Sequence, residues 1–183
     1  MRHLPNLICL LRLALIWPVA TALNTGRYRV ALALFVAAAV SDSLDGYLAK
    51  RFGWTSELGR FLDPLADKLL LMTVFVACAW LGLIPWWLTA AVVARDAMIG
   101  LGALVYRLWF GALHGRPTLL SKINTGTQLL YVALVILAAA LDRPPGPALA
   151  AAALITLATT VLSGLHYILI FTRRAWLLPP GTR

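Results

Sequence analysis

Long apolar segments follow one another through nearly the whole of this sequence. They lie near residues 5–23, 28–49, 58–81, 86–108, 119–141 and 147–171. Each is close to the roughly 20 residues that an apolar helix needs to cross a bilayer. Only 13% of the residues are charged and 61% are hydrophobic, whereas about a quarter are charged in ordinary soluble domains. We therefore predict an all-α, polytopic membrane protein with six transmembrane helices, forming one domain over residues 1–183.

Basic residues mark alternate connections between these segments. They are Arg2 before the first segment, Lys50, Arg51 and Arg60 around the second connection, Arg107, Arg116 and Lys122 around the fourth, and Arg173 and Arg174 near the C-terminus. The positive-inside rule then makes both termini and these two connections cytoplasmic. The net charge of +9 favours contact with anionic lipid headgroups rather than with nucleic acid. We expect an integral protein of a bacterial inner membrane.

Four aspartates stand out against this apolar background. Asp42, Asp45, Asp63 and Asp67 lie within 26 positions of a chain that has seven acidic residues. Ionisable residues at membrane depth are costly and mark functional sites. Because residues three or four apart share a helix face, the aspartates form two one-sided pairs. Clustered carboxylates repel one another without a cation, and they are ligands for Mg²⁺ or Mn²⁺, whereas zinc prefers His and Cys. The spacing therefore predicts a divalent-cation site that opens toward the cytoplasm.

Small residues are interleaved with the aspartates. Gly46, Ala49 and Gly59 could let two helices pack closely, as small residues commonly do in membranes. They could also let a bulky ligand approach the helix backbone. Their register with the aspartates favours the ligand-binding interpretation.

The whole segment resembles the signature of the CDP-alcohol phosphotransferase family, Asp-x2-Asp-Gly-x2-Ala-Arg-x8-Gly-x3-Asp-x3-Asp. Every fixed position matches except position 50, where Lys50 stands in place of Arg. Near the N-terminus, Pro5, Asn6 and Arg12 resemble the family's Pro-Asn-x-x-Thr-x-x-Arg stretch, with Cys9 in place of Thr. These two motifs lie in separate parts of the chain, and with the weaker motifs described below the resemblance covers most of it.

This resemblance implies a six-helix membrane enzyme, commonly a homodimer, that displaces CMP from a CDP-linked lipid with an acceptor hydroxyl. By the same resemblance, Asp42, Asp45, Asp63 and Asp67 hold two divalent cations, Mg²⁺ or Mn²⁺, and Asp67 also accepts the proton of the acceptor hydroxyl. The resemblance further assigns the cytidine and phosphate pocket of CDP-diacylglycerol to Gly46, Ala49, Lys50 and Gly59.

Two cationic residues further along the chain are candidates for binding the acceptor. Arg95 precedes Asp96 inside the fourth apolar segment, and Lys122 lies at the start of the fifth. One interpretation is an internal ion pair and a helix cap that only hold helices together. The other is that Arg95 and Lys122 bind the phosphate of the acceptor.

The segments around these residues, 84–98 and 121–128, resemble cardiolipin synthases of this family more than phosphatidylglycerophosphate synthases. We therefore expect phosphatidylglycerol as the acceptor, giving cardiolipin and CMP. The alternative is a phosphatidylglycerophosphate synthase that uses glycerol 3-phosphate.

Two other classes of membrane protein also place acids in apolar helices. A Mg²⁺-dependent prenyltransferase would carry two separated Asp-rich motifs and more helices, whereas this chain has one compact run. A cation transporter would place its acids at the bilayer midplane between related repeats. No repeat is visible here, and the acids lie near one membrane face.

Overall fold

The structure is a computed structural model that describes residues 4–52, 57–110 and 118–177, with side chains at 13–41, 67–105 and 118–172. It contains the helices α1 (Leu4–Asn24), α2 (Tyr28–Phe52), α3 (Glu57–Trp80), α4 (Trp86–Phe110), α5 (Leu119–Ala140) and α6 (Pro147–Leu177). Each predicted segment corresponds to one of these helices, and no strand occurs in the described ranges. The all-α prediction is confirmed.

Three of the helical stretches described are long and apolar enough to cross a membrane: Trp86–Val105, Leu119–Ala140 and Pro147–Thr172. Shorter apolar stretches occupy Leu13–Asn24 and Tyr28–Ser41. Large apolar side chains face outward along these helices, as at Leu154 and Leu169 of α6. Contiguous exposed apolar surface of this kind suits a lipid environment. Six crossings and cytoplasmic termini stay predictions.

Helices α1, α3 and α5 end in the same way. Just beyond each helix lies a residue with positive φ: Gly26 at 70°, Gly82 at 72° and Asp142 at 50°. The amide of the next residue then bonds the carbonyl five positions back, as Arg27 N donates to Ala22 O (2.8 Å). This is the hydrogen bond of a Schellman motif, which glycine favours and aspartate tolerates. The chain therefore reverses sharply after each of the three helices.

Helices α2 and α3 share two neighbours, α1 and α5. Helix α1 packs against both α2 and α3, and α5 packs against α2, α6 and, less extensively, α3. Helix α4 lies against α6 and α3. The two helices that carry the four aspartates are therefore both held by α1 and α5.

Among the side chains that the structure describes, the fully buried apolar ones form a core toward one end of the bundle. Its fully buried residues come from the ends of α1, α3 and α5 and from the first half of α2 and α4: Leu23, Phe35, Phe75, Leu88, Val132 and Ile136. At the same end Arg29 Nε, at the start of α2, donates to Ala140 O of α5 (3.4 Å). We call this the apolar end. The aspartates lie on α2 and α3 toward the opposite, polar end.

Candidate functional site

The backbone places the four aspartates as the spacing predicts. Asp42 and Asp45 lie on continuous helix in α2, and Asp63 and Asp67 lie on continuous helix in α3, so each pair shares a helix face. Asp67 is half-buried. The side chains of Asp42, Asp45 and Asp63 lie outside the described set, so the arrangement of the four carboxylates stays a prediction.

The predicted nucleotide pocket lies in the same two segments. Gly46, Ala49 and Lys50 are in the last turns of α2, and Gly59 is in the first turn of α3. Their surroundings lie outside the described side chains. The fold therefore puts these residues on the aspartate-bearing parts of α2 and α3, and their contacts with a nucleotide stay predicted.

The donor set fits the divalent cation that the resemblance implies. Four carboxylates, on two helices that share α1 and α5 as neighbours, offer only oxygen ligands, which Mg²⁺ and Mn²⁺ prefer. Among the side chains that the structure describes, no group of three or more His, Cys, Asp or Glu could hold a metal ion. Three of the predicted ligands lie outside these side chains, so the metal site and its two ions remain predicted.

A charged cluster of Lys68, Arg95 and Asp96 joins α3 to α4. One oxygen of Asp96, Oδ1, accepts from Lys68 Nζ (2.7 Å) and from Arg95 Nη1 (2.5 Å). The side chains of Arg95 and Asp96 are each 5% exposed, whereas that of Lys68 is 36% exposed. Two buried charges in an apolar helix are tolerated because they pair. The cluster as a whole carries one net positive charge.

Arg95 is also held by the two following helices. Its Nη2 donates to Ser121 Oγ of α5 (2.8 Å) and to Ser163 Oγ of α6. Its Cζ lies 5.9 Å from the centre of the Tyr167 ring, within the range of a cation–π interaction. Among the described residues, neither Arg95 Nε nor Asp96 Oδ2 has a hydrogen-bond partner. The guanidinium therefore fastens α4, α5 and α6 together and keeps one buried donor unused.

The two predicted acceptor-binding residues, Arg95 and Lys122, differ in burial and in their contacts. It contains the Arg95–Asp96 ion pair of the first interpretation. Lys122 instead is exposed, one residue after the Ser121 that Arg95 contacts, in a helix whose first turn is capped by Thr118. The two side chains thus lie near the same helix start, one buried and one open. Binding of an acceptor by either stays a prediction.

A second polar group lies between α5 and α6. The hydroxyls of Thr159 and Thr160 donate to Asn124 Oδ1 (3.0 and 2.9 Å), and Gln128 Nε2 donates to Thr160 Oγ1 (3.3 Å). Asn124 and Gln128 are fully buried. Sequence reasoning missed this group, as it missed Lys68 and Ser163. The available signal was the run of Thr159, Thr160 and Ser163 at helical spacing in an otherwise apolar segment.

Comparison with known proteins identifies the family. Residues 2–172 match the family described as CDP-alcohol phosphatidyltransferase. A probable cardiolipin synthase (CMP-forming) of Drosophila melanogaster is 32% identical over 91% of this chain and 56% of its own length. A probable phosphatidylglycerophosphate synthase of Mycobacterium tuberculosis is 32% identical over 91% of this chain and 80% of its own length.

A third relative, a cardiolipin synthase (CMP-forming) of Streptomyces coelicolor, is 39% identical over 52% of this chain and 47% of its own length. The chain thus spans about half the length of the Drosophila and Streptomyces relatives. The family match covers all six helices almost to the end of α6 and includes the aspartate segment. The chain therefore belongs to the CDP-alcohol phosphatidyltransferase family, whose members are transferases of phospholipid biosynthesis.

Proposed function

We propose that this protein transfers the phosphatidyl group of CDP-diacylglycerol to phosphatidylglycerol, which yields cardiolipin and CMP. The observation that carries the proposal is the complete aspartate motif on α2 and α3, within a family match over residues 2–172. Both helices pack against α1 and α5, which gives the two aspartate pairs common neighbours.

In this proposal Asp42, Asp45, Asp63 and Asp67 hold two divalent cations, Mg²⁺ or Mn²⁺. The chemistry that the bound ions supply is neutralisation of the pyrophosphate and of the charge that develops on the departing CMP. Gly46, Ala49 and Gly59 leave room for the nucleotide beside the helix backbones, and Lys50 offers a positive charge to its phosphates.

Asp67 takes the proton of the acceptor hydroxyl as that oxygen bonds to the phosphatidyl phosphorus. The bond between this phosphorus and the CMP oxygen breaks, and CMP leaves with the electron pair. An ionised aspartate is a weak base, so close approach of the hydroxyl must supply part of the rate. Asp67 is half-buried, which suits a base that a substrate must reach.

The acceptor phosphate binds Arg95 and Lys122 in this proposal. The net positive charge of the Lys68, Arg95 and Asp96 cluster and the unused Arg95 Nε support it. Arg95 lies in the middle of an apolar helix whose outer face exposes Leu101 and Leu104, which favours an acceptor that carries acyl chains. Glycerol 3-phosphate is the second candidate, because the Mycobacterium relative described as a phosphatidylglycerophosphate synthase is as similar as the Drosophila one.

The proposal also covers the surroundings of the enzyme. We infer a homodimer in a bacterial inner membrane, with six crossings, both termini in the cytoplasm and the polar end facing it. The basic residues beside the second and fourth connections support this orientation.

An acceptor assay tests the proposal. Purified protein in detergent is given CDP-diacylglycerol with either phosphatidylglycerol or glycerol 3-phosphate, and CMP release and the lipid product are measured with and without Mg²⁺. We expect Mg²⁺-dependent CMP release with phosphatidylglycerol and formation of cardiolipin. CMP release with glycerol 3-phosphate but not with phosphatidylglycerol would identify glycerol 3-phosphate as the acceptor. It would still support the proposed transfer reaction. Release with neither acceptor would contradict the proposed function.

A further inference from the structure

One oxygen of Asp96 accepts from two cationic side chains, and one of these partners follows a predicted metal ligand. Lys68 comes directly after Asp67 in α3 and reaches across to Asp96 in α4 (2.7 Å). Arg95 occupies the same oxygen and is anchored independently by Ser121 and Ser163. Arg95 therefore has other partners that hold it in place, whereas the contact shown for Lys68 is with Asp96.

The position of Lys68 creates an electrostatic conflict. A lysine ammonium sits on a flexible four-carbon stem, and the Lys68 side chain is still 36% exposed. Four aspartates on the same stretch of α3 and on α2 attract such a charge as they attract a divalent cation. An ammonium that pairs with these carboxylates lowers their affinity for the metal.

We propose that Asp96 is a positioning residue that holds the Lys68 ammonium against α4 and so keeps it from competing with divalent cations for the aspartates of α2 and α3. This inference rests on the metal site of the proposed function. It assigns Asp96 a role toward Lys68 in addition to its pairing with Arg95. The paired arrangement leaves one net positive charge in the cluster, and loss of the Asp96 charge leaves two.

The test is Mn²⁺ binding by the purified full chain without lipid substrate, measured by electron paramagnetic resonance. The variants are Asp96→Asn, Lys68→Met and the double variant Lys68→Met/Asp96→Asn. Asp96→Asn keeps the oxygen that accepts both hydrogen bonds and removes its charge. Asp142→Asn is the matched control, because Asp142 is an exposed aspartate at the apolar end.

We expect Asp96→Asn to bind Mn²⁺ about tenfold more weakly than the wild type, because the released Lys68 ammonium repels the ion at the dielectric constant of a protein surface. The double variant restores the affinity to within about threefold of the wild type, because the competing ammonium is gone. Lys68→Met binds at least as tightly as the wild type. The Mg²⁺ concentration that half-saturates CMP release follows the same order, while Asp142→Asn leaves both quantities unchanged.

A purely structural link between α3 and α4 gives a different order. Lys68→Met and Asp96→Asn both remove the ion pair between these two residues, so in that case both would weaken Mn²⁺ binding and the double variant would not recover; that result overturns the proposal. Folded Asp96→Asn with wild-type affinity overturns it as well. If Asp96→Asn does not fold, Lys68→Met decides alone, and weaker binding there overturns the inference. Absence of Mn²⁺ binding by the wild type contradicts the proposed aspartate site itself.

Discussion

At the scale of single residues, two kinds of charged side chain occur toward the polar end: buried charges that hold helices together, and an exposed charge that a ligand can reach. Arg95 and Asp96 are buried and paired, and removal of one partner of such a pair costs about 3–5 kcal/mol, since it strands the other charge. Lys122 is exposed, so its removal should have little effect on the stability of the fold. The two residues assigned to the acceptor therefore differ in how cleanly they can be tested.

Lys122→Ala is the cleaner test of the acceptor site. We expect its KM for the acceptor to rise by about tenfold, as for loss of one hydrogen bond to a charged group, with little change in the KM for CDP-diacylglycerol or in the unfolding temperature. Arg95→Ala raises the acceptor KM as well, and it also lowers the unfolding temperature because Asp96 loses its partner. Steady-state CMP release and thermal unfolding measure both.

Arg143→Ala serves as the control, because Arg143 is an exposed cation at the apolar end. It should change neither KM. If both Lys122→Ala and Arg95→Ala raise the KM for CDP-diacylglycerol more than the acceptor KM, these residues do not bind the acceptor.

For individual residues, the sequence predicts which ones carry the chemistry, but it does not predict their contacts equally well. The aspartate motif is a local pattern, so its helical face is predictable from spacing alone, and the backbone of α2 and α3 confirms that both pairs lie on helix. Lys68 and Ser163 become partners of Asp96 and Arg95 only through the packing of four helices. No spacing rule connects residues that far apart in the chain, so these contacts could not be predicted.

At the scale of the elements, close packing of α4 on α6 depends on glycine at particular positions. A Cβ on Gly102 would lie 2.9 Å from the Phe171 ring, which is too close for an unchanged structure. A Cβ on Gly164 would lie 3.6 Å from Arg95 Cγ, an ordinary contact distance. Gly102 therefore sets how near the two helices can come, and small residues commonly have this role in membrane helices.

Gly102→Ala and Gly100→Ala form a matched pair, because nothing lies within 4 Å of a Cβ on Gly100. Alanine gains about 1 kcal/mol of helix propensity at either position, whereas crowding at position 102 costs about 1–3 kcal/mol. We expect Gly100→Ala to raise the unfolding temperature in detergent and Gly102→Ala to lower it relative to that variant. Equal stabilisation by both would show that α4 and α6 do not pack as described.

The extent of each helix was predictable, but its neighbours were not. The segments near 58–81 and 119–141 correspond to Glu57–Trp80 and Leu119–Ala140, because length and apolarity set the span. The helix faces that contact lipid and those that contact other helices are both apolar. Hydropathy therefore does not predict which helices are neighbours. The position of α1 between α2 and α3 emerges only from the structure.

At the scale of the whole molecule, the apolar core formed by the described side chains lies toward one end of the bundle, and the proposed site lies toward the other. The apolar end holds the fully buried core and three sharp reversals at Gly26, Gly82 and Asp142. The charged cluster lies one helical turn beyond the core residues Leu71 of α3 and Val92 of α4, and it links α3 and α4 with α5 and α6. A packed core of this kind can support costly polar groups elsewhere in the bundle, where the carboxylates of α2 and α3 are proposed to meet their substrates.

The most direct measurement of the central claim is Mg²⁺-dependent CMP release from CDP-diacylglycerol by four single variants, Asp42→Asn, Asp45→Asn, Asp63→Asn and Asp67→Asn, with Asp142→Asn as the control. The two-cation site predicts that each of the four loses at least about 100-fold in turnover, because every one of them holds a cation and Asp67 also accepts the proton of the acceptor hydroxyl, while Asp142→Asn keeps wild-type turnover. Intact turnover in any of the four folded variants would contradict the account.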